Sequence, residues 1–193
     1  QQGGAAGCSI LTDNEFFHGT LEDMVRGRNV LGIPILRKDF IIDEYQLYEA
    51  KAYGADVILL IAAGLHPTTC GHLARKAREL EMEVLLEVHN SEELQKYLLD
   101  HPQADAIDIV GVNNRDLNTF EVSLETSEKL IEQIPGEKIK ISESCISNVE
   151  AINRLKTVGY QGFLMGEHFM KQSSPAQAFT EFYTQVLHQK TIL

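Results

Sequence analysis

The chain has 193 residues, of which 44% are hydrophobic and 23% charged, and its formal net charge is -11. This length suits one domain with one core, and the composition is that of a globular protein rather than a disordered or fibrous one. The negative charge argues against a nucleic-acid partner and an anionic membrane surface, since both bind clustered Lys and Arg. We therefore expect a single domain over residues 1–193, in which a small anionic ligand would need a local basic pocket.

Cysteine and histidine usage gives no sign of a metal site or a disulfide framework. The three cysteines are widely spaced without a C-x-x-C pair, and the seven histidines show no H-x-x-x-H or H-E-x-x-H spacing. We interpret the histidines as surface or packing residues. The apolar runs are far shorter than the ~20 residues of a membrane helix, and the opening QQGGAAG lacks the features of a signal peptide. These observations predict a reducing, cytoplasmic setting and no membrane partner.

Short apolar runs alternate with amphipathic segments, a pattern typical of a parallel sheet covered by helices. Seven runs predict strands, at residues 7–11, 33–36, 55–61, 84–88, 106–112, 138–141 and 162–165. Helical patterns fall at residues 21–27, 43–53, 67–80, 91–99, 123–133, 148–157 and 176–188. Helix ends are marked by Asn90 or Ser91 before two glutamates, by Pro175, and by Gly54 and Gly159.

A doubly wound open sheet and a closed barrel both repeat such βα units. Two features favour the barrel: no G-x-G-x-x-G follows the first strand, and polar residues cluster after strand after strand, where a barrel builds its active site. The strands number seven, one short of eight. We predict an α/β fold, a (β/α)8 TIM barrel with about seven of its eight βα units present.

Charged side chains end two of the predicted strands. Lys38 lies in LRKDF at residues 36–40, either in a solvated charge cluster at a turn or as a lysine that binds an anion or donates a proton. Glu87 interrupts the apolar strand VLLEV, where an unpaired carboxylate would be costly to bury. Glu87 is therefore either half of a structural ion pair or a general acid or base.

The segment GVNNRD at residues 111–116 ends another strand. Asn114 and Asp116 suit a simple turn. Asn113 and Arg115 supply a directional amide and a charged fork, which suit a carboxylate or phosphate.

The segments ISESC at 141–145 and LMGEH at 164–168 follow the last two strands. Loops after strands 7 and 8 commonly bind phosphate in such barrels, through backbone N–H groups and a helix dipole. Ordinary capping of the next helix by Ser144 is the alternative.

Several segments together resemble the indole-3-glycerol-phosphate synthase family, from near the first residue almost to the C terminus. They are SILTD at 9–13, LRKDFIID at 36–43, LLEVH at 85–89, VNNRDLNTFEV at 112–122, SES at 142–144 and MGEHFM at 165–170. The combination of LRKDFIID with NNRDL-x-TF is highly specific.

The resemblance implies a carboxy-lyase of tryptophan biosynthesis that acts on a small phosphorylated substrate, 1-(2-carboxyphenylamino)-1-deoxyribulose 5-phosphate, by ring closure, decarboxylation and dehydration. It implies no metal or organic cofactor. Lys38 corresponds to the general acid at the substrate carbonyl, and Glu87 to a proton-transfer carboxylate in the dehydration. Asn113 and Arg115 would orient the substrate, with Glu143 supporting them.

The resemblance also implies two binding regions. The phosphate would be held by Ser144, the backbone of Cys145, Gly166 and the backbone of Glu167. The aromatic-ring pocket would be lined by Leu11, Phe17 and Phe40. Counted on the family's barrel, Lys38, Glu87 and Glu143 fall on strands 3, 5 and 7, which contribute side chains to one layer.

Two departures from the family pattern stand out. The sequence contains no Glu-x-Lys-x-x-Ser-Pro-Ser segment, so we expect the N-terminal helix and first βα unit to be absent. Open barrel edges would then associate with a missing N-terminal segment or another partner, and this chain alone would have little activity. Cys145 stands where the family usually has Gly.

Two other functions are alternatives to a synthase. One is a noncatalytic barrel remnant that binds phosphate or a partner. The other is a different phosphate-binding barrel such as phosphoribosylanthranilate isomerase, although that enzyme would not combine LRKDF with NNRD.

Overall fold

A computed structural model of the protein describes residues 1–116 and 119–188. Seven parallel strands form one sheet in chain order, as the alternation of apolar runs predicts. The strands are β1 (Cys8–Leu11), β2 (Ile35–Lys38), β3 (Val57–Ile61), β4 (Glu83–Val88), β5 (Ile109–Asn113), β6 (Ile139–Glu143) and β7 (Gly162–Leu164). Leu117 and Asn118, which belong to the family-like segment at 112–122, lie outside the described residues.

Helices alternate with the strands. They are α1 (Leu21–Val30), α2 (Tyr45–Ala52), α3 (Pro67–Glu79), α4 (Ser91–Leu94), α5 (Glu125–Leu130), α6 (Val149–Val158), α7 (Glu167–Met170) and α8 (Pro175–His188). The short helix α7 is absent from the sequence-based prediction. No helix in the described part of the chain is both long enough and apolar enough to cross a membrane.

Capping residues fix several helix ends. The side chain of Asn90 caps α4 by accepting the backbone N–H of Glu93 at 2.9 Å. Pro175 is the first residue of α8, where its missing N–H costs no hydrogen bond. Gly54 and Gly159 follow α2 and α6 with φ values of 93° and 120°, a region in which glycine avoids a steric penalty.

The sheet is strongly curled. Lys38 Nζ on β2 lies 3.7 Å from Glu143 Oε2 on β6. Four strand spacings on a flat sheet would separate those strands by about 19 Å, so the two ends of the sheet bend toward each other. Apolar side chains fill the enclosed space, namely Leu36, Val57, Leu59 and Leu85, with Ile61, Ile109, Ile141 and Leu164 packed against them. The larger core lies between the outer face of the sheet and the helices.

The second strand lies two residues later than the prediction of 33–36 and includes two charged residues. Arg37 faces the helices, where it is 3% exposed and its Nη2 lies 2.9 Å from Asp39 Oδ2 and 2.7 Å from Glu49 Oε2. Lys38 faces the inside of the curled sheet. The strand therefore continues through both residues because each has carboxylate partners on its own side.

Candidate active site

The carboxyl ends of β2, β4 and β6 bring Lys38, Glu87 and Glu143 together, and we call these three residues the lysine–diglutamate cluster. Lys38 Nζ lies 3.5 Å from Glu87 Oε2 and 3.7 Å from Glu143 Oε2. The Lys38 side chain is 19% exposed, whereas those of Glu87 and Glu143 are 4% and 1% exposed. Lys38 is therefore a nearly buried cation facing two carboxyl groups, and the alternative of a solvated charge cluster is wrong.

Glu87 has more partners than Lys38 alone. Asn113 Nδ2 donates a hydrogen bond to Glu87 Oε1 at 3.0 Å, and His89 Nε2 lies 3.2 Å from the same oxygen. Burial by itself would raise the pKa of Glu87, but His89, Lys38 and Asn113 outweigh it and hold that pKa well below its usual range. Glu87 is thus an ionised carboxylate at neutral pH, although it is almost fully buried.

Glu143 lies in a more apolar setting. Neither of its carboxyl oxygens has a hydrogen-bond partner among the described residues. Burial first, and then the charge of Glu87, raise its pKa to about 8, although Lys38 acts in the opposite direction. Gly111 on β5 leaves the space that this carboxyl occupies, since a Cβ atom there would lie 2.0 Å from Glu143 Oε1. The pKa values of the two carboxyl groups of the cluster are therefore shifted in opposite directions, that of Glu87 toward the ionised form and that of Glu143 toward the protonated form.

Asn113 and Arg115 take different positions relative to the cluster. The backbone N–H of Arg115 donates to Asn113 Oδ1 at 3.0 Å, which turns the amide NH2 of Asn113 toward Glu87. The guanidinium of Arg115 lies at the exposed rim, with Nη2 3.4 Å from Glu167 Oε2. Glu143 shares no side-chain hydrogen bond or ion pair with either residue in the described part of the chain. Its charged neighbours are Glu87 and Lys38.

Asn114 is the centre of a buried hydrogen-bond network and not part of a simple exposed turn. Its Nδ2 donates to Ser142 Oγ and to the backbone carbonyl of Glu143, each at 2.9 Å. Its Oδ1 accepts from Ser127 Oγ at 2.8 Å. The network joins the end of β5 to the end of β6, so it fixes the strand that carries Glu143.

The residues expected to hold phosphate lie after neighbouring strands. Ser144 and Cys145 follow β6 with φ values of 65° and 61°, and Gly166 and Glu167 follow β7. The alternative role of Ser144 as a helix cap is wrong, because the side chain of Asn148 caps α6. Cys145 therefore stands at a left-handed position, which explains why glycine suits it better.

Three aromatic rings pack together in the segments that follow β1 and β2. Phe40 stacks on Phe17 with centroids 5.0 Å apart and meets the edge of Phe16 at 5.5 Å. Leu11 pairs in register with Lys38, so its side chain shares the inner face of the sheet. Phe16 was not among the residues predicted from the sequence, although the adjacent letters FF were the available signal.

His89 is a further residue that sequence reasoning missed. Its side chain is 9% exposed, so it is a packing residue and not a surface one, and it lies between the carboxyl groups of Glu87 and Glu93. The two-residue spacing from Glu87 is the available signal, because residues i and i+2 of an extended segment face the same side.

Comparisons with known proteins identify the family that this chain resembles. A family model described as "Indole-3-glycerol phosphate synthase" matches residues 1–182. The indole-3-glycerol phosphate synthase of Bacteroides thetaiotaomicron is 49% identical over 180 residues, which is 93% of this chain and 66% of that protein. The corresponding protein of Aliarcobacter butzleri is 44% identical over 94% of this chain and 67% of its own length. The chain thus spans about two thirds of the length of these curated relatives.

Solved structures share the fold at low sequence identity. The 3-hexulose-6-phosphate synthase from Salmonella typhimurium is similar with a TM-score of 0.74 and 14% identity, over 94% of this chain and 86% of that one. KGPDC from Streptococcus mutans is similar with a TM-score of 0.71 and 16% identity, over 95% and 86% of the two chains. These likenesses concern the barrel alone. The family match over residues 1–182, with relatives at 44–49% identity, shows that this chain belongs to the indole-3-glycerol phosphate synthase family.

Proposed function

We propose that the protein converts 1-(2-carboxyphenylamino)-1-deoxyribulose 5-phosphate to indole-3-glycerol phosphate, carbon dioxide and water, as a cytoplasmic enzyme of tryptophan biosynthesis. The observation that carries this proposal is the lysine–diglutamate cluster. Ring closure requires a proton donor at the substrate carbonyl, and dehydration requires a second proton transfer. A partly buried lysine beside two buried carboxyl groups, whose pKa values are shifted in opposite directions, supplies both kinds of group within 4 Å.

In the proposed reaction, Lys38 gives a proton to the carbonyl oxygen while the ring carbon that carries the carboxylate attacks the carbonyl carbon. Loss of carbon dioxide from that carbon restores the aromatic ring. The new hydroxyl then leaves as water while the neighbouring CH2 carbon loses a proton, which forms the ring double bond. Glu87 accepts that proton and passes it to the departing hydroxyl, and Lys38 regains its proton from solvent.

Substrate binding follows from the surroundings of the cluster. The aromatic ring would lie against Leu11, Phe17 and Phe40, and Asn113 would orient the reacting part of the substrate. Arg115 lies at the rim near the end of β7, where it would attract the anionic groups. The phosphate would be held by Ser144, Gly166 and the backbone N–H groups of Cys145 and Glu167, at the ends of neighbouring strands as in other phosphate-binding barrels.

The test is turnover by the full-length protein, followed by the fluorescence of the indole product. Lys38→Met removes the proton donor but keeps a long apolar stem, and kcat should fall by about 100- to 10,000-fold. Lys51→Met is the matched control, because Lys51 lies on exposed α2 and its Nζ donates to the backbone carbonyl of Glu81 at 3.2 Å. Normal turnover by Lys38→Met would remove Lys38 from this role, and no indole product from the wild type would contradict the proposed function.

A further inference from the structure

His89 has no part in the proton transfers proposed above, yet it is held between two carboxylates. Its Nε2 lies 3.2 Å from Glu87 Oε1, which is an ion-pair distance without hydrogen-bond alignment. Its Nδ1 lies 3.1 Å from Glu93 Oε2, and its backbone N–H donates to the same oxygen at 2.8 Å. Glu93 is in turn fixed in the first turn of α4, where Asn90 Nδ2 donates to Glu93 Oε1 at 3.1 Å.

This arrangement favours a charged imidazole. A neutral imidazole carries one N–H, whereas both ring nitrogens of His89 face carboxylate oxygens, which only accept. Burial by itself would lower the pKa of His89, but Glu87 and Glu93 outweigh it and raise that pKa to about 9. The other titratable groups nearby are Lys38 on β2 and the Glu143 carboxyl on β6, and both neighbour Glu87. His89 is therefore an imidazolium at neutral pH.

Glu87 thus has two cationic neighbours with different tasks. Lys38 becomes neutral once its proton has moved to the substrate, and Glu87 then loses one counter-charge. A buried carboxylate without a counter-charge is costly and tends to take up a proton. His89 gives up no proton in the proposed reaction, and its contacts with Glu87 and Glu93 keep its charge in place.

We propose that His89, held as an imidazolium by Glu93, is a positioning residue that keeps Glu87 oriented and ionised while Lys38 gives up its proton. The catalytic consequence rests on the proposed function, whereas the Glu87–His89–Glu93 arrangement does not. The two parts are therefore testable separately.

The first experiment is a carboxyl 13C NMR titration of the full-length protein, with the Glu87 signal assigned from Glu87→Gln. In His89→Asn the titration midpoint of Glu87 should rise by one pH unit or more, because a cation has been removed. Glu93→Gln should lower the titration midpoint of His89, because a carboxylate neighbour has been removed, and should not raise that of Glu87, because His89 stays charged throughout the Glu87 titration. A folded His89→Asn protein with an unchanged Glu87 midpoint would overturn the proposal. If His89→Asn does not fold, an unchanged His89 midpoint in Glu93→Gln would overturn it.

His72→Asn is the matched control. His72 Nε2 also contacts a carboxylate, Glu44 Oε2 at 2.9 Å, but the pair is exposed and joins α3 to the residue before α2. This variant should leave the Glu87 midpoint unchanged, and a shift equal to that of His89→Asn would overturn the proposal.

The second experiment is the pH dependence of kcat/KM. The acidic limb should move to higher pH in His89→Asn by about the same interval as the NMR midpoint, with little change in KM, since His89 lies behind Glu87. An unmoved limb would overturn the positioning role. If the wild-type protein makes no indole product, the proposed function fails, and the NMR midpoints still decide whether His89 controls Glu87.

Discussion

Replacing Gly111 by alanine would place a methyl group inside the barrel at the cluster. Gly111 lies on the inner face of β5, in register with Glu87 on β4 and Ile141 on β6. A Cβ atom at this position would lie 2.0 Å from Glu143 Oε1 and 3.1 Å from Leu85 Cδ1. Ordinary contact begins at 3.4 Å, so the Glu143 carboxyl would have to move by roughly 1.4 Å.

Two consequences follow from that displacement. Overpacking a filled interior costs about 1–3 kcal/mol, so the free energy of unfolding should fall by that amount. The displaced carboxyl would also leave its position 3.7 Å from Lys38 Nζ. Since a misplacement of about 1 Å can cost 100-fold in rate, kcat should fall by about that factor. Steady-state kinetics and urea unfolding on the same preparations measure the two effects.

Gly162→Ala is the matched control for overpacking. Its added Cβ would lie 2.8 Å from Ile141 Cγ2, a terminal methyl group that is able to shift. It should lower stability without the large loss of turnover. Suppose that Gly111→Ala loses stability but has a kcat within about threefold of the kcat of Gly162→Ala. The position of the Glu143 carboxyl would then not control turnover, and the prediction would be wrong.

Three further predictions concern single side chains. Glu143→Gln should flatten the pH dependence of the free energy of unfolding. The pKa of Glu143 is about 8 in the folded state against an ordinary 4.5, so between these pH values the folded protein binds a proton that the unfolded chain does not. The free energy of unfolding of the wild type should therefore fall as the pH rises through this interval, by up to about 1.4 kcal/mol per pH unit. Urea unfolding at pH 6 and pH 8 measures this slope, and an equal slope in both proteins would contradict it. Cys145→Gly should raise the free energy of unfolding by about 0.5–1 kcal/mol, because it relieves a left-handed residue with φ of 61°, and a loss of stability would refute the strain. Asn114→Ala should lower it by about 3 kcal/mol, since the Ser127 and Ser142 hydroxyls would lose buried partners, and a loss under 1 kcal/mol would argue against the network.

The order and parallel pairing of the elements could be predicted because apolar runs and amphipathic segments alternate with different periods. The end of β2 could not be predicted, because Arg37 and Lys38 are consecutive charged residues, and such a pair suggests a loop when only the sequence is known. Arg37 and Lys38 point to opposite faces, and the carboxylates that pair with each come from other parts of the chain. The short helix α7 has too few residues to show a periodic pattern.

The site could be predicted in part for a similar reason. Lys38 and Glu87 are conspicuous because each places a charge at the end of an apolar strand, and barrel geometry predicts that such ends meet. The sequence did not predict that Asn114 fixes Glu143 or that Gly111 leaves space for its carboxyl. Both features depend on the register between β5 and β6, which is not visible in either segment alone. His89 could have been predicted, because its two-residue spacing from Glu87 is visible in the sequence.

We propose that the lysine–diglutamate cluster performs ring closure coupled to decarboxylation. The most direct measurement is a single-turnover experiment with full-length protein and substrate labelled with 13C in its carboxylate, in which labelled carbon dioxide and indole-3-glycerol phosphate are counted together. We expect equal amounts of the two products from the wild type, and the loss of both together in Lys38→Met. Carbon dioxide release without indole product, or indole product formed at the wild-type rate by Lys38→Met, would contradict the claim.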